Sequence, residues 1–579
     1  MRYGIIGNCK SAALVHESGS VDWCCLPNFD HPSVFARILD DAGGHFAIRP
    51  RGLKSARQSY VSNSNILETR FETSEGGFAV WDYMPRYQVG HRYHHPPEIH
   101  RRLIPLDGRP SFKVEFFPRL NYAQGETIVE KGEHGLRAHQ GPEDVFLDSS
   151  LSAEGILGGE TFTLEKEEFL SLGYHERLKP PTVEEIRREC EATQAYWQNW
   201  SNRCRLPSVA PEAVLRSALT LKLMTFEESG AIIAAPTTSL PEELGAGRNW
   251  DYRYCWLRDS SLMLEALKSI GHFEEARAFL RFLFRILESK QSKIQILYGI
   301  DGRTRLDEFI LPHLKGYQGN GPVRVGNLAS IQKQNDIFGE VLNALYLYYL
   351  HYRFEDIGHE EWAMVKFLAD TTAREWAGED AGIWEYRQRT AHFTFSKLLS
   401  WAGLDRGAQF AAALGKKGKA ALYGEQAAAV RKNIEAEGWN PRVQAYTQIY
   451  GSSDLDVSIL KMNTLGFVGE KDPRWISTVQ RCAEGLLQGD FGFRYTAPDD
   501  FGKPKSSFIL ATFWIAKALS SIGERKRARD LFEKTLARSN HLGLLSEDID
   551  PQSGNLLGNF PQAFSHMALI NTANELAKA

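Results

Sequence analysis

No apolar run in this chain approaches the roughly 20 residues of a membrane span. The opening Met1-Arg2-Tyr3-Gly4-Ile5-Ile6-Gly7-Asn8 has no apolar stretch of signal-peptide length. Cysteine is scarce: Cys9, Cys24, Cys25, Cys190, Cys204, Cys255 and Cys482 are an odd, scattered set of seven with no C-x-x-C pair. That spacing makes a poor disulfide framework and a poor zinc site, and it points to free buried thiols in a reducing compartment. A cytoplasmic location is the expectation, with no membrane partner. There is no excess of positive charge either. Lys plus Arg is 68 against 72 Asp plus Glu, a net charge of −4, so a nucleic-acid partner is not expected. No internal repeat, G-x-S-x-G elbow, H-E-x-x-H helix or GK[ST] phosphate loop is present. His91, His94, His95 and His100 gather around Pro96-Pro97, at spacings that match no zinc pattern. Neither a metal nor an organic cofactor is expected.

What the chain has in plenty is aromatic residues: 21 Tyr, 13 Trp and 32 Phe in 579 residues. They concentrate most in Arg248-Asn249-Trp250-Asp251-Tyr252-Arg253-Tyr254-Cys255-Trp256-Leu257-Arg258-Asp259. A core strand would not tolerate so many charges, and a solvated loop would not need so many rings. Rings beside a few fixed charges suit a sugar pocket, where flat faces stack on a pyranose and Arg and Asp hold its hydroxyls.

Around that stretch the pattern divides the chain. Residues 1–180 carry short alternating runs at 12–15, 21–26, 65–71, 77–81, 112–117 and 161–164, separated by turn residues, and read as an N-terminal β-sandwich. An amphipathic helix over 183–200 lies in a linker spanning 181–210. From 211 to 579 the chain reads helical, with twelve segments near 211–227, 259–271, 273–289, 334–355, 359–376, 393–413, 418–438, 455–464, 474–488, 506–523, 524–540 and 561–578. Their connections alternate: long, aromatic and charged loops precede only the even-numbered segments. Six helical hairpins in a ring, an (α/α)6 barrel, would bring every long loop to one mouth.

Two of those loops carry acids suited to chemistry. Glu385 lies in Asp380-Ala381-Gly382-Ile383-Trp384-Glu385-Tyr386-Arg387, between two rings. Glu547 lies in Leu544-Leu545-Ser546-Glu547-Asp548, behind an apolar run. Carboxylates from different loops facing across one cavity suit glycoside hydrolysis, in which one protonates the departing oxygen and the other deprotonates an attacking water. A third loop, His313 to Arg324, is rich in glycine, but no strand precedes it.

At these residues the chain resembles glycoside hydrolase family 15, the glucoamylases, glucodextranases and bacterial trehalases. The likeness runs through Ser11-Ala12-Ala13-Leu14-Val15 and Gly19-Ser20-Val21-Asp22-Trp23-Cys24-Cys25-Leu26-Pro27-Asn28-Phe29-Asp30-His31-Pro32, then through 249–260, 382–387 and Gly543 to His566. The resemblance implies that Glu385 is the general acid, that Glu547 is the general base, and that Arg258 and Asp259 grip the terminal glucose. It also implies that Trp256, Trp384 and Tyr252 line the pocket and that Arg494 binds substrate. The activity implied is inverting, exo-acting hydrolysis of α-gluco-oligosaccharides with release of β-glucose; the alternative in the same family is α,α-trehalase. Inversion calls for carboxyl groups roughly 6.5–9.5 Å apart. A barrel phosphorylase and a sugar-binding protein without catalysis are the rivals outside that reading. One departure stands out: Lys505-Ser506-Ser507-Phe508 replaces an acidic segment that many bacterial members carry, which bears on the outer part of the substrate site.

Overall fold

The computed structural model describes residues 1–288 and 294–578. Its N-terminal part is rich in sheet. One seven-stranded antiparallel sheet joins Tyr3–Gly7, Ala12–His16, Ser20–Cys25, Ser33–Phe35, His45–Pro50, Ser111–Phe117 and Phe162–Thr163. An eight-stranded one runs from Ile128–Lys131 to Leu53–Tyr60 and includes Leu67–Thr73, Gly76–Tyr83 and Glu98–Gly108. Leu67, Thr69, Phe71 and Thr73 are buried while Arg70 and Glu72 are exposed, the period-2 alternation of a strand with one covered face. Phe71, Phe78 and Phe112 join the two sheets, with ring centroids 5.1 and 5.7 Å apart. Arg101 reaches between them too. It bonds Asp82 at 2.7 Å on its own sheet, and the carbonyls of Phe46 and Gly19 at 2.7 Å on the other side, so a wholly buried charge is satisfied.

The helix Val183–Ser201 follows, opened by a Thr182–Glu185 capping box. It buries Ile186, Cys190, Thr193, Trp197 and Trp200, spaced by threes and fours along one face.

The rest is helical. Eleven of the twelve expected segments form α-helices among the described residues, from Pro211–Leu223 to Ala563–Leu576. Residues 289 and 579, at the ends of two expected ranges, lie outside the described residues. The exception is the segment expected over 455–464, which is only a 3-10 turn, Val457–Lys461. Asp456 Oδ1 accepts from both the backbone N–H and the hydroxyl of Ser458, at 2.7 and 2.6 Å, and Gly466 closes the next turn in the left-handed region. Local side-chain bonds of this kind compete with a continuing helix.

The helices have a definite neighbour order. Leu257–Ser269 packs on Asp336–Tyr346, that on Thr394–Ala413, that on the turn Val457–Lys461, that on Ile509–Ser521, and that on Ala563–Leu576, which packs on Leu257–Ser269 again. The other helices lie against members of this set. Burial follows the same division. Ile509–Ser521 is buried almost all round, whereas Lys417–Asn433 buries only Tyr423, Ala427 and Val430.

Candidate active site

A cavity of about 830 Å³, open mouth included, lies where the long loops converge. Its size is that of a small-ligand site. All eight residues picked out in the sequence line it: Tyr252, Trp256, Arg258, Asp259, Trp384, Glu385, Arg494 and Glu547.

The central stretch builds one wall by alternation. Along extended backbone, successive side chains point to opposite faces. Arg248, Trp250 and Tyr252 face the cavity. Asn249, Asp251 and Arg253 face away and are fully buried. Arg253 makes a two-pronged bond to Asp251, at 2.9 and 2.7 Å, and donates to the His31 carbonyl at 2.8 Å. The Trp23 indole donates to the Pro236 carbonyl at 2.7 Å. The segment Asp22 to Pro32 therefore braces the back of the site, and no residue of the sheet-rich part lines the cavity. From the other side, Arg324 of the glycine-rich loop donates to the Asn249 carbonyl at 2.7 Å and lies over the Trp250 ring.

Glu385 sits in the left-handed region, at φ 62°, a conformation costly for a residue with a Cβ and typical of functional sites. Gly382 permits the preceding turn: a Cβ there would meet the Phe393 ring at 2.8 Å. Glu385 Oε1 accepts from the Trp256 indole at 2.8 Å and lies 3.4 Å from both terminal nitrogens of Arg258. Arg258 also donates to the Ile383 carbonyl at 3.0 Å and pairs with Asp259 at 3.1 Å. Burial pushes the Asp259 carboxyl up to about 7; Arg258 opposes that rise and Glu385 adds to it. Trp384 turns its indole N–H to Asp456 at 2.8 Å and sets its ring among Tyr495, Phe508 and Arg494.

Glu547 stands in another wall. Oε1 accepts from the Tyr252 hydroxyl at 2.6 Å and from Arg494 at 3.2 Å. Oε2 is buried and has no hydrogen-bond partner among the described residues. The glycine at 558 makes this packing possible, since a Cβ there would fall 2.6 Å from that of Glu547. Burial raises the Glu547 carboxyl well above the usual range, Glu242 adds to the rise, and Arg494 opposes it.

Glu242, Asp499, Asp500 and Phe501 line the cavity and escaped the sequence reading. Glu242 is 2% exposed and pairs with Arg494 at 3.0 Å. It sits in Pro241-Glu242-Glu243 between turn residues and reads as an ordinary solvated acid. Arg248 makes a two-pronged bond to Asp499, at 2.5 and 2.7 Å, and a third to the Gly502 carbonyl at 3.0 Å. Phe501 lies edge-on to Trp250 at 5.3 Å. Asp500 accepts from the Arg387 backbone at 2.5 Å, and Arg387 grips Glu308 at 3.0 and 2.8 Å. These bonds tie the turn 499–502 across the cavity wall. The departing segment has a part in the packing as well. Lys505 is exposed and pairs with Glu243 at 3.2 Å, while Ser506 donates to Asp548 at 2.7 Å. The histidines form no shared site: His100 is buried among Tyr83, Glu98 and Arg177.

Two carboxylates are thus held by separate walls of one ring-lined cavity, and the sequence as a whole matches a known family. The sequence model of glycosyl hydrolases family 15 fits residues 208–574, and a trehalase-like N-terminal model fits residues 1–156. The chain belongs to glycosyl hydrolases family 15. It is a glycoside hydrolase of a family of inverting glycosidases. Among the proteins it is similar to, the trehalase of Mycolicibacterium smegmatis is 35% identical over 100% of this chain and 91% of that protein. The trehalase of Thermoplasma volcanium is 32% identical over 100% of this chain and 93% of its own. A bacterial glucoamylase complexed with acarbose superposes with a TM-score of 0.71 at 14% identity, covering 99% of this chain and 94% of that one, a likeness of fold. No helix among the described residues is long and apolar enough to cross a membrane.

Proposed function

We propose that this protein is an inverting α,α-trehalase whose general acid is Glu385 and whose general base is Glu547. The observation that carries the substrate is the likeness, along essentially whole chains, to proteins named trehalase. Of the two activities the resemblance implied, this favours trehalose over glucoamylase-like trimming of oligosaccharides, because the glucoamylase likeness is one of fold. The turn 499–502, tied across the wall by Arg248, is consistent with a short substrate.

The roles are those the family resemblance implies, and the geometry supports them. Arg258 and Asp259, at the buried start of helix Leu257–Ser269, hold the hydroxyls of the ring to be cleaved. Trp256, Trp384 and Tyr252 supply its flat walls, and Arg494 reaches the sugar from the side of the base. Glu385 protonates the bridging oxygen while Glu547 takes a proton from water attacking the opposite face of the anomeric carbon. The closed neighbour order of the helices supports an (α/α)6 barrel over 211–579, with the turn Val457–Lys461 standing in for one inner helix. The two sheets joined by Phe71, Phe78 and Phe112 support a sandwich over 1–180, with 181–210 as linker.

Trehalose makes the test direct. Inversion at one anomeric carbon gives one β-glucose, and the departing ring keeps its α configuration. Proton NMR of fresh products should read equal amounts of both anomers, with trehalose preferred over maltose, isomaltose and starch. Only α-glucose at early times would contradict inversion, and a preference for maltooligosaccharides would return the substrate to the glucoamylase type. Glu385→Gln should lose roughly 10²–10⁴-fold on trehalose but far less on α-glucosyl fluoride, whose leaving group needs no proton; Glu547→Gln should lose both.

A further inference from the structure

One guanidinium serves three acids beside the proposed base. Arg494 lies 3.0 Å from Glu242, 3.2 Å from Glu547 and 3.5 Å from Asp548. The three acids are buried and the Arg494 side chain is 14% exposed. A single cation facing three carboxylates leaves them short of countercharge, which favours proton binding at Glu547 and Asp548. Asp548 has a hydroxyl donor of its own in Ser506, and Glu547 has one in Tyr252. Glu242 has neither. Among the described residues its carboxylate bonds only Arg494.

We propose that Glu242 is a positioning residue that sets the basicity of Glu547 by holding Arg494 away from full engagement with it and by placing a second negative charge at its side. The proposal rests on the reading of Glu547 as base. A general base works best when its proton affinity lies near the working pH, because it is then both ionised and strong. Arg494 alone would make Glu547 a weak base, and Glu242 takes up half of that guanidinium. The charged and titratable groups facing Glu547 are Glu242, Arg494, Asp548 and Tyr252 on its own side, with Arg248 beyond them, and Glu385, Arg258 and Asp259 on the opposite wall. The pH direction agrees with the geometry: burial and then Glu242 raise the carboxyls of Glu547 and Asp548, and Arg494 lowers both.

The sign of the test follows. The acidic limb of kcat/KM against pH marks protonation of the base in the free enzyme. Glu242→Gln removes the negative neighbour and frees Arg494, and both changes favour the ionised base. The limb should move to lower pH by roughly one unit, with a lower plateau because the base is weaker. Glu242→Asp keeps the charge and should leave the limb close to that of the parent. A limb unmoved in Glu242→Gln overturns the proposal, as does a rise in KM alone, which would make Glu242 a sugar ligand. A second measurement needs no Glu242 variant. In the unaltered protein carrying carboxyl-labelled glutamate, one carbon-13 resonance should titrate above the ordinary carboxylate range and vanish in Glu547→Gln. No such resonance would overturn the proposal. Full activity in Glu547→Gln would instead overturn the assignment of the base, so the two failures are distinguishable.

Discussion

Tyr252 and Trp256 meet edge to face, their ring centroids 5.5 Å apart at 73°. Each directs its one polar hydrogen to a different carboxylate: the Tyr252 hydroxyl to Glu547 at 2.6 Å and the Trp256 indole to Glu385 at 2.8 Å. Two acids 162 residues apart in sequence are thus held by rings four residues apart on one stretch. Large rings have few rotamers and are fixed by packing, so the pair sets both acids with little freedom to drift.

Removing either polar hydrogen while keeping the ring should separate the two roles. A hydrogen bond to a charged group is worth about 1.5–3 kcal/mol, so Tyr252→Phe should lower kcat/KM by roughly 10- to 100-fold. Its loss also leaves the Glu547 carboxylate less stabilised, which moves the acidic limb to higher pH, opposite to Glu242→Gln. Trp256→Phe should cost a similar factor on trehalose but much less on α-glucosyl fluoride, because it disturbs the proton donor. Steady-state kinetics on the two substrates across pH checks both; equal losses on both substrates in Trp256→Phe would refute its assignment to the acid.

A second prediction concerns stability. Behind Arg258 and Asp259, burial pushes Asp336 up to about 7, with Asp380 adding and Arg258 opposing. Burial likewise pushes Glu340 up to about 8, with Lys461 opposing and Asp336 adding. Both carboxyls bind protons more tightly in the folded chain than in the unfolded one, where the usual values are about 4. Their contribution to stability is complete below that value and is lost as pH rises through 7 and 8. Glu340→Gln carries no such penalty. Its unfolding free energy should gain on that of the parent as pH rises from 5 to 8, by at most about 1.36 kcal/mol per pH unit, and its melting temperature should rise relative to the parent's accordingly. Thermal melts at several pH values check this; a constant gap between the two proteins would mean that Glu340 is not held protonated.

How much of this was legible in the sequence depends on which residues are considered. Glu385 and Glu547 announced themselves through neighbours, Trp384 and Tyr386 around one and Leu544-Leu545 before the other. The alternation of long and short connections located the mouth, because helix periodicity and loop length are local properties. Glu242 could not be found that way. Its identity as a cavity residue depends on Arg494, 252 residues away, and nothing in Pro241-Glu242-Glu243 differs from a solvated turn. The eighth helical segment failed for a local reason that was readable, Asp456 and Ser458 bonding to each other and to the backbone within two residues. The strands at His45–Pro50 and Glu98–Gly108 were missed because prolines and charges interrupt their alternation, and Arg101 is buried only because the opposite sheet offers carbonyls to receive it.

The turn 499–502 yields the last prediction. Arg248 and Asp499 are both nearly buried and bond at two points; the Tyr495 hydroxyl also donates to Asp499, at 2.5 Å. Phe501 is carried on this turn and rests against Trp250, so the clasp holds an aromatic wall in place. Asp499→Ala leaves Arg248 buried without its carboxylate, and the loss of a charged bond of about 1.5–3 kcal/mol should loosen the turn. Neither acid is touched, so the chemical step on bound sugar should be little changed and the loss should fall on binding. KM for trehalose should rise by roughly tenfold with kcat within a few-fold, and hydrolysis of maltotriose should gain relative to trehalose as the wall opens. Kinetics on both sugars decide it. A fall in kcat at constant KM would show that the clasp serves the reacting groups, and an unchanged preference between the sugars would show that the turn does not bound the substrate.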